Sequence, residues 1–207
     1  MKKFRIEILI SIVLLLIQAA ALADPIPIDF NPTDQTVEFG DQVSVDVVVT
    51  PGLTDIIAEF DMIVNWDAGL MSLADVVFGP ALGDSLFFEA FTTAIDLGGG
   101  MLNAAELSLL PELLLAGLQG GSPFTLFSLT FDTIGVGTSS LDLTGNIFLQ
   151  VDPFNFIGDA GGLPLEALAG TGSITIEEAP VTVPEPSTWM LMLIGLAALT
   201  LSRRKQI

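Results

Sequence analysis

Three oxygen-bearing side chains lie within one short stretch and could bind a metal ion. Asp152, Asn155 and Asp159 follow an alternating apolar segment. Carboxylate and amide oxygens are hard ligands of the kind that Ca²⁺ prefers. The stretch lacks the Asp-x-Asp-x-Asp-Gly register and the closing Glu of an EF-hand, and Asp and Asn also stabilise ordinary turns through backbone hydrogen bonds. Ca²⁺ is therefore a candidate cofactor at these three residues. The pattern favours the alternative, which is a solvated turn without a metal ion.

Composition excludes the common kinds of catalytic centre. The chain has no His, Cys or Tyr, so Ser-His and Cys-His nucleophile pairs cannot form. Between Asp24 and Ser202 it has no Lys or Arg either, so no cationic side chain in this stretch could stabilise an oxyanion or hold a phosphate. A pair of carboxylates could hydrolyse a glycoside, but abundant acidic residues make chance pairs common. We therefore expect no enzyme.

Charge is distributed so that the middle of the chain is purely acidic. All six Lys and Arg residues lie near the two termini, whereas residues 24–202 hold 24 of the 25 Asp and Glu residues. This stretch cannot form Lys or Arg salt bridges, so apolar burial and hydrogen bonds must stabilise it. It should repel nucleic acid and anionic lipid headgroups. We expect no nucleic-acid partner, and cationic partners or divalent metals as the counter-charge.

The first 23 residues have the three parts of a secretory signal peptide. Basic residues begin it, an apolar run follows over Ile8–Ile17, and Ala21 and Ala23 form a small-x-small cleavage site before Asp24. The apolar run is shorter than the roughly 20 residues that span a membrane, which favours cleavage over an uncleaved anchor helix. We expect signal peptidase to cut before Asp24 and the remaining chain to be exported.

The C-terminal segment, residues 184–207, combines a proline motif, an apolar helix and a basic end. Pro184, Glu185 and Pro186 precede a predicted helix over residues 188–202, and Arg203, Arg204 and Lys205 follow it. The apolar run is about 20 Å long as a helix, which is short for a lasting span of a ~30 Å hydrocarbon layer. The basic cluster would hold the C-terminus in the cytoplasm. We expect a transmembrane helix that anchors the chain before processing.

These three elements, in this order and at this terminus, resemble the PEP-CTERM sorting signal of Gram-negative bacteria that make exopolysaccharide. The resemblance implies that a membrane-embedded exosortase recognises Pro184-Glu185-Pro186, cleaves near it and transfers the protein to the cell surface or matrix. An ordinary C-terminal anchor behind a proline-containing linker is the alternative.

Between the two ends, apolar residues alternate with polar ones as they do in half-buried β-strands. Gly and Pro residues separate the alternating segments at turns. One stretch, Pro111–Gln119, instead suits a short helix with proline in its first turn. The pattern predicts an all-β, two-sheet sandwich with one short helix. The alternating segments are Val43–Val49, Phe60–Trp66, Phe127–Phe131, Leu141–Leu143, Ile147–Val151 and Ile174–Ile176.

The order of these elements resembles the cohesin domain of cellulosome scaffolds, a jelly-roll type β-sandwich related to carbohydrate-binding modules. The segments that carry the resemblance are Thr36–Val45, Phe60–Asp67, Leu73–Gly79, Phe124–Thr133 and Gly172–Ile176. The chain departs from the family where Trp66-Asp67-Ala68 replaces an aromatic-Asp-Pro turn. The cohesin-like domain is predicted over residues 34–177, with residues 24–33 as a leader and residues 178–183 as a linker.

The resemblance also concerns Trp66, because aromatic rings contact sugars in related carbohydrate-binding modules. Trp66 has the same parity as Phe60, Met62 and Val64, which we expect to face the core. The pattern thus favours a core position for Trp66, with a sugar-stacking position as the alternative.

The sequence as a whole predicts a non-catalytic protein of the cell surface or exopolysaccharide matrix. Its cohesin-like domain would bind carbohydrate or a surface protein partner. A second hypothesis is an acidic matrix protein that Ca²⁺ crosslinks and that has no specific ligand. A third is a glycoside hydrolase that uses a carboxylate pair.

Overall fold

The structure, a computed structural model, describes residues 24–145, 157–180 and Met192. The predicted signal peptide with Ala21 and Ala23, the sorting motif and the terminal basic cluster lie outside these residues. So do the predicted strand Ile147–Val151, the predicted helix over residues 188–202 apart from Met192, and the candidate ligands Asp152 and Asn155. Across the described ranges, no helix is long and apolar enough to span a bilayer. The chain divides into two compact units between Glu177 and Glu178.

The described part of the first unit consists of β-strands, one α-helix (α1) and two short 3₁₀-helices at Pro80–Leu82 and Ser85–Phe87. The strands are β1 Ile26–Asn31, β2 Asp34–Glu38, β3 Gln42–Val49, β4 Ile57–Asn65, β5 Met71–Phe78, β6 Ala90–Asp96 and β7 Met101–Ser108. After α1 at Glu112–Gln119 come β8 Phe124–Thr133, β9 Gly137–Gly145, β10 Ile157–Asp159, β11 Pro164–Leu165, β12 Ala167–Ala169 and β13 Thr171–Glu177.

Two sheets form the sandwich, which confirms the predicted all-β fold with one short helix. One is five-stranded, in the order β12-β1-β3-β8-β5. The other has the order β11-β10-β4-β9-β13-β2, with β7 on the opposite edge of β4 and β6 outside β7. Strand β4 is the centre of this second sheet, because β7 pairs along one of its edges while β9 and β10 share the other.

The core lies between the two sheets and follows from the alternation in the sequence. In β3, Val43, Val45, Val47 and Val49 are all buried, while the polar residues between them face outward. In β4 the ring of Phe60 stacks on that of Phe127 from β8, with 5.6 Å between ring centroids. Each fully buried Val, Leu or Phe side chain stabilises the fold by about 1.5–3 kcal/mol.

The predicted leader, residues 24–33, is corrected by the structure, which places β1 within it. Ile26, Ile28 and Phe30 are buried in the core, and β1 pairs with β3 and β12. The prolines of this segment concealed the alternation of the three apolar residues. Pro27 itself has no N–H to donate, and the hydrogen bonds at this point come from its neighbours: Ile26 N donates to Glu166 O at 2.8 Å, and Thr50 N donates to Pro27 O at 2.9 Å.

Helix α1 confirms the helix predicted at Pro111–Gln119. Pro111 is the N-cap residue and Gly120 ends the helix in the left-handed conformation, with φ +58°. The buried amide of Gln119 fixes the helix to β4, because Ile57 N donates to its Oε1 at 3.0 Å and its Nε2 donates to Ile57 O at 2.5 Å. Leu115 anchors the same side of the helix in the interior.

Candidate protein-binding face

The structure places Trp66 in the core, the position that its parity favoured. Only 9% of the residue is exposed. Its ring packs against Phe131 with centroids 5.2 Å apart, and its Nε1 donates to Met71 O at 3.1 Å. Both the face and the polar edge of the indole are therefore occupied within the sandwich, and Trp66 serves packing here.

Asp159 is the described member of the predicted Ca²⁺ triplet. Its Oδ1 accepts hydrogen bonds from Gly161 N and Leu163 N, each at 2.8 Å, and so stabilises the turn between β10 and β11. Elsewhere in the described ranges, no three Asp or Glu residues come close enough to hold a metal ion. Because Asp152 and Asn155 lie outside those ranges, the Ca²⁺ site stays a prediction.

The strongest candidate for a binding site is the outer face of β6, β7 and β4, which we call the β6–β7–β4 face. Its apolar side chains are Phe91 and Ile95 on β6, Met101 and Leu107 on β7, and the half-buried Ile63 on β4. Phe91 is 60% exposed and lies opposite Leu107, while Ile95 and Ile63 flank Asn103 from either side. Large apolar side chains that are adjacent and exposed typify protein–protein contact surfaces.

A tight turn positions this face. Gly98, Gly99 and Gly100 join β6 to β7, and all three have positive φ angles, which glycine adopts without steric cost. Trp66 N donates to Gly100 O at 2.8 Å, so the turn is tied to the end of β4. A Cβ on Gly100 would clash with the Trp66 carbonyl oxygen. Glycine at this position lets the β6–β7 hairpin approach β4.

Acidic side chains border the apolar half of the face. Glu59 and Asp61 lie on the outer side of β4, opposite Leu107 and Ala105, and Asp142 lies on β9 opposite Asn65. Asn103 fixes the middle of the face, because its Nδ2 donates to Asp61 Oδ1 at 2.6 Å and to Met62 O at 3.3 Å. Apolar anchors beside carboxylates suit a partner that presents apolar groups flanked by cations.

The core side of the same hairpin holds an unusual group, Glu106. Only 2% of the residue is exposed, and both carboxyl oxygens are buried without a hydrogen-bond partner. Burial raises the pKa of Glu106 to about 8 from an ordinary 4.5. The carboxyl is therefore mostly protonated at pH 7, because desolvation penalises its charged form.

The sequence did not reveal this face. From Ala90 to Ser108 apolar residues occur at both parities, with Phe91 and Leu107 facing outward but Leu102 and Ala104 facing the core. A segment that is apolar on both sides lacks the period-two signal of a half-buried strand. The clue in the sequence was the combination of these apolar residues with the glycine triplet.

Comparison with known proteins adds to this geometry. Residues 182–206 match the family model of the PEP-CTERM protein-sorting motif. The chain carries a PEP-CTERM sorting motif. This motif implies export and sorting to the cell envelope or surface. A comparison with curated proteins gave no match.

Solved structures that resemble the sandwich include cohesins. CaCohA2 from Clostridium acetobutylicum is 19% identical, with a TM-score of 0.56 over 75% of this chain and 94% of its own. The sixth cohesin of scaffoldin B from Acetivibrio cellulolyticus, solved with a Cel5 dockerin, is 16% identical, with a TM-score of 0.53 over 74% of this chain and 98% of its own.

A non-cellulosomal cohesin from the archaeon Archaeoglobus fulgidus is 14% identical, with a TM-score of 0.52 over 74% of this chain and 91% of its own. At these identities the similarity concerns the fold. The sandwich has the cohesin fold, as the order of its elements predicted.

Proposed function

We propose that this PEP-CTERM protein is a non-catalytic binding module of the cell surface, and that its cohesin-fold domain binds a protein partner through the β6–β7–β4 face. The observation that carries the proposal is the row of exposed Phe91, Ile95, Met101 and Leu107 beside the acidic border of β4 and β9. Solved cohesins with the same fold include complexes with dockerins, which supports a protein ligand.

The chemistry of the face limits the partner. Apolar burial would supply most of the affinity, while Glu59, Asp61 and Asp142 would select Lys or Arg at the rim. Within residues 24–202 the chain offers no cation of its own, so an acidic partner would meet only repulsion. We propose a partner surface with apolar anchors and a basic border.

The test is capture of partners from the envelope and matrix of the source organism, with the captured proteins identified by mass spectrometry. The double variant Phe91→Ser/Leu107→Ser removes two adjacent anchors and should lose the specific partner. Val77→Ser is the matched control, since Val77 is 56% exposed on β5 of the other sheet. The partner should remain bound to this control.

Two further readouts separate a protein ligand from a carbohydrate ligand and from a calcium-crosslinked matrix role. Capture of polysaccharide that Phe91→Ser/Leu107→Ser abolishes would make carbohydrate the ligand of this face. A calcium-crosslinked matrix role requires instead that millimolar Ca²⁺ raise the melting temperature, and that Asp152→Ala and Asp159→Ala remove the rise. Capture that neither the double variant nor Ca²⁺ changes would contradict the proposed function.

A further inference from the structure

A second apolar surface lies at one end of the sandwich, which we call the leucine–phenylalanine end. Its members are Leu86, Phe87 and Phe88 in the connection between β5 and β6, and Leu113, Leu114 and Leu118 on α1. All six are more than half exposed, and Leu113 reaches 85%. Scattered exposed apolar residues are normal in proteins, but a concentration of this kind marks an interaction site.

Backbone contacts bring the two parts of this end together. Leu109 N, just after β7, donates to Glu89 O at 2.7 Å, so the Leu86–Phe88 turn lies beside the chain that leads into α1. Gln119 at the other end of α1 donates to Ala81 O at 3.5 Å, from the 3₁₀-helix that precedes the turn. Strand β13 ends at Glu177 beside Glu38, at the opposite end of the sandwich.

The backbone of the Leu86–Phe88 turn is strained, and this strain accompanies the exposure of the Phe87 and Phe88 rings. Phe88 has φ +60°, a left-handed conformation that is uncommon for a bulky residue and is characteristic of functional sites. The turn keeps it there through Leu86 N, which donates to Asp84 Oδ1 at 2.8 Å, and through Glu89 N, which donates to Asp84 O at 3.1 Å. The exposure of Leu86–Phe88 is therefore built into the local backbone.

The exposed side of α1 is shaped for close approach. Gly117 lies between Leu113 and Leu118 on the solvent side, and a Cβ at this position would contact nothing within 4 Å. Glycine inside a helix is destabilising relative to alanine, and no crowding within the domain requires it here. A small residue between two leucines allows the backbone of a second helix to pack closely on α1.

The negative charge around the leucine–phenylalanine end limits which partner can bind there. Asp84 and Glu89 lie in the turn and Glu112 in the first turn of α1, and residues 24–202 contain no cation to balance them. A second copy would bring the same charges face to face, and an anionic lipid surface would also be repelled. We propose that the leucine–phenylalanine end docks an amphipathic helix of a partner protein, with leucine-like anchors on one side and Lys or Arg beside them.

The test uses two synthetic amphipathic helical peptides that differ only in their polar residues, one of Leu and Lys and the other of Leu and Glu. The whole protein should bind the Leu/Lys peptide and not the Leu/Glu peptide, as measured by fluorescence anisotropy. Leu113→Gln/Leu118→Gln should weaken this binding at least tenfold. Gly117→Leu should also weaken it, although it adds apolar surface and leaves the melting temperature equal or higher.

Two controls assign the site. Ile134→Gln changes a residue that is 51% exposed at the opposite end, and it should leave the binding unchanged. Phe91→Ser/Leu107→Ser should also leave it unchanged, so that failure of this proposal and failure of the proposed function are distinguishable.

Several results would overturn the proposal. One is equal binding of both peptides, and another is binding that Leu113→Gln/Leu118→Gln does not weaken. A concentration-dependent dimer that this double variant dissolves would make a second copy the occupant. Binding to phosphatidylcholine vesicles that Phe87→Ser abolishes would make it a lipid surface.

Discussion

The outer faces of the two sheets differ in chemistry. On the five-stranded sheet the outward side chains of β3 and β8 pair with one another: Gln42 Nε2 donates to Asp132 Oδ1 at 2.8 Å, and Ser44 and Thr130 share a hydrogen bond at 3.0 Å. The β6–β7–β4 face instead presents Phe91, Ile95, Met101 and Leu107. The polar side chains of β3 and β8 satisfy one another, whereas β6 and β7 leave a row of apolar side chains exposed.

Burial of the inner faces forms the core of the sandwich, whereas the outer faces differ in the residues they present. Alternation was enough to predict β3, β4, β8, β9 and β13, because each has one buried and one solvated side. It failed for β6 and β7, whose two sides are both partly apolar. It also failed for β1, where Pro27 interrupts the series Ile26, Ile28 and Phe30.

Glu106 could not be predicted from the sequence for a related reason. In β7 it stands at a core-facing position among Leu102 and Ala104, yet an acidic residue at one position of a strand usually indicates the solvated side. Whether a buried carboxylate finds a partner depends on neighbours that are distant in the sequence. The sequence does show that no cation is available from residues 24–202.

The largest expected effect concerns the buried carboxyl of Glu106, which lies on the β6–β7 hairpin of the second sheet. Because the pKa of Glu106 is raised to about 8 in the folded protein, the folded state binds this proton more tightly than the unfolded state. The contribution of Glu106 to stability should be fully present below pH 4.5 and should be lost as the pH rises toward 8, by up to about 1.4 kcal/mol per pH unit.

Urea denaturation across this pH range measures the effect. Glu106→Leu should remove most of this pH dependence and stabilise the protein at pH 8, because it replaces an unpartnered carboxyl with an apolar group. Glu112→Gln, at an exposed position of α1, is the control. If Glu106→Leu kept the slope of the wild-type protein, the buried carboxyl would not be its source.

The next effect concerns the turn that holds the apolar face against β4. Gly100→Ala should destabilise the protein by about 3 kcal/mol, because it combines an unfavourable left-handed conformation with a clash against the Trp66 carbonyl. Gly99→Ala, where a Cβ meets nothing within 4 Å, carries only the conformational cost of about 1–2 kcal/mol. Equal losses in thermal denaturation would show that the Trp66 contact contributes nothing.

The smallest effect concerns the polar face of the five-stranded sheet. Thr130→Val removes the hydroxyl that pairs with Ser44 while keeping a β-branched shape, so we expect a change in stability of less than about 1 kcal/mol. It should leave partner capture unaltered. A loss of capture comparable to that of Phe91→Ser/Leu107→Ser would show that both sheets contribute to the binding surface.

Hydroxyl-radical footprinting tests the central claim most directly, because it reads the exposure of individual side chains in the complex. With the captured partner bound, the oxidation of Phe91 and Met101 should fall several-fold, while Phe39 and Val77, which are also exposed, should react as they do in the free protein. Protection of Val77 and the rest of the five-stranded sheet, with Phe91 and Met101 still reactive, would contradict the assignment of the β6–β7–β4 face.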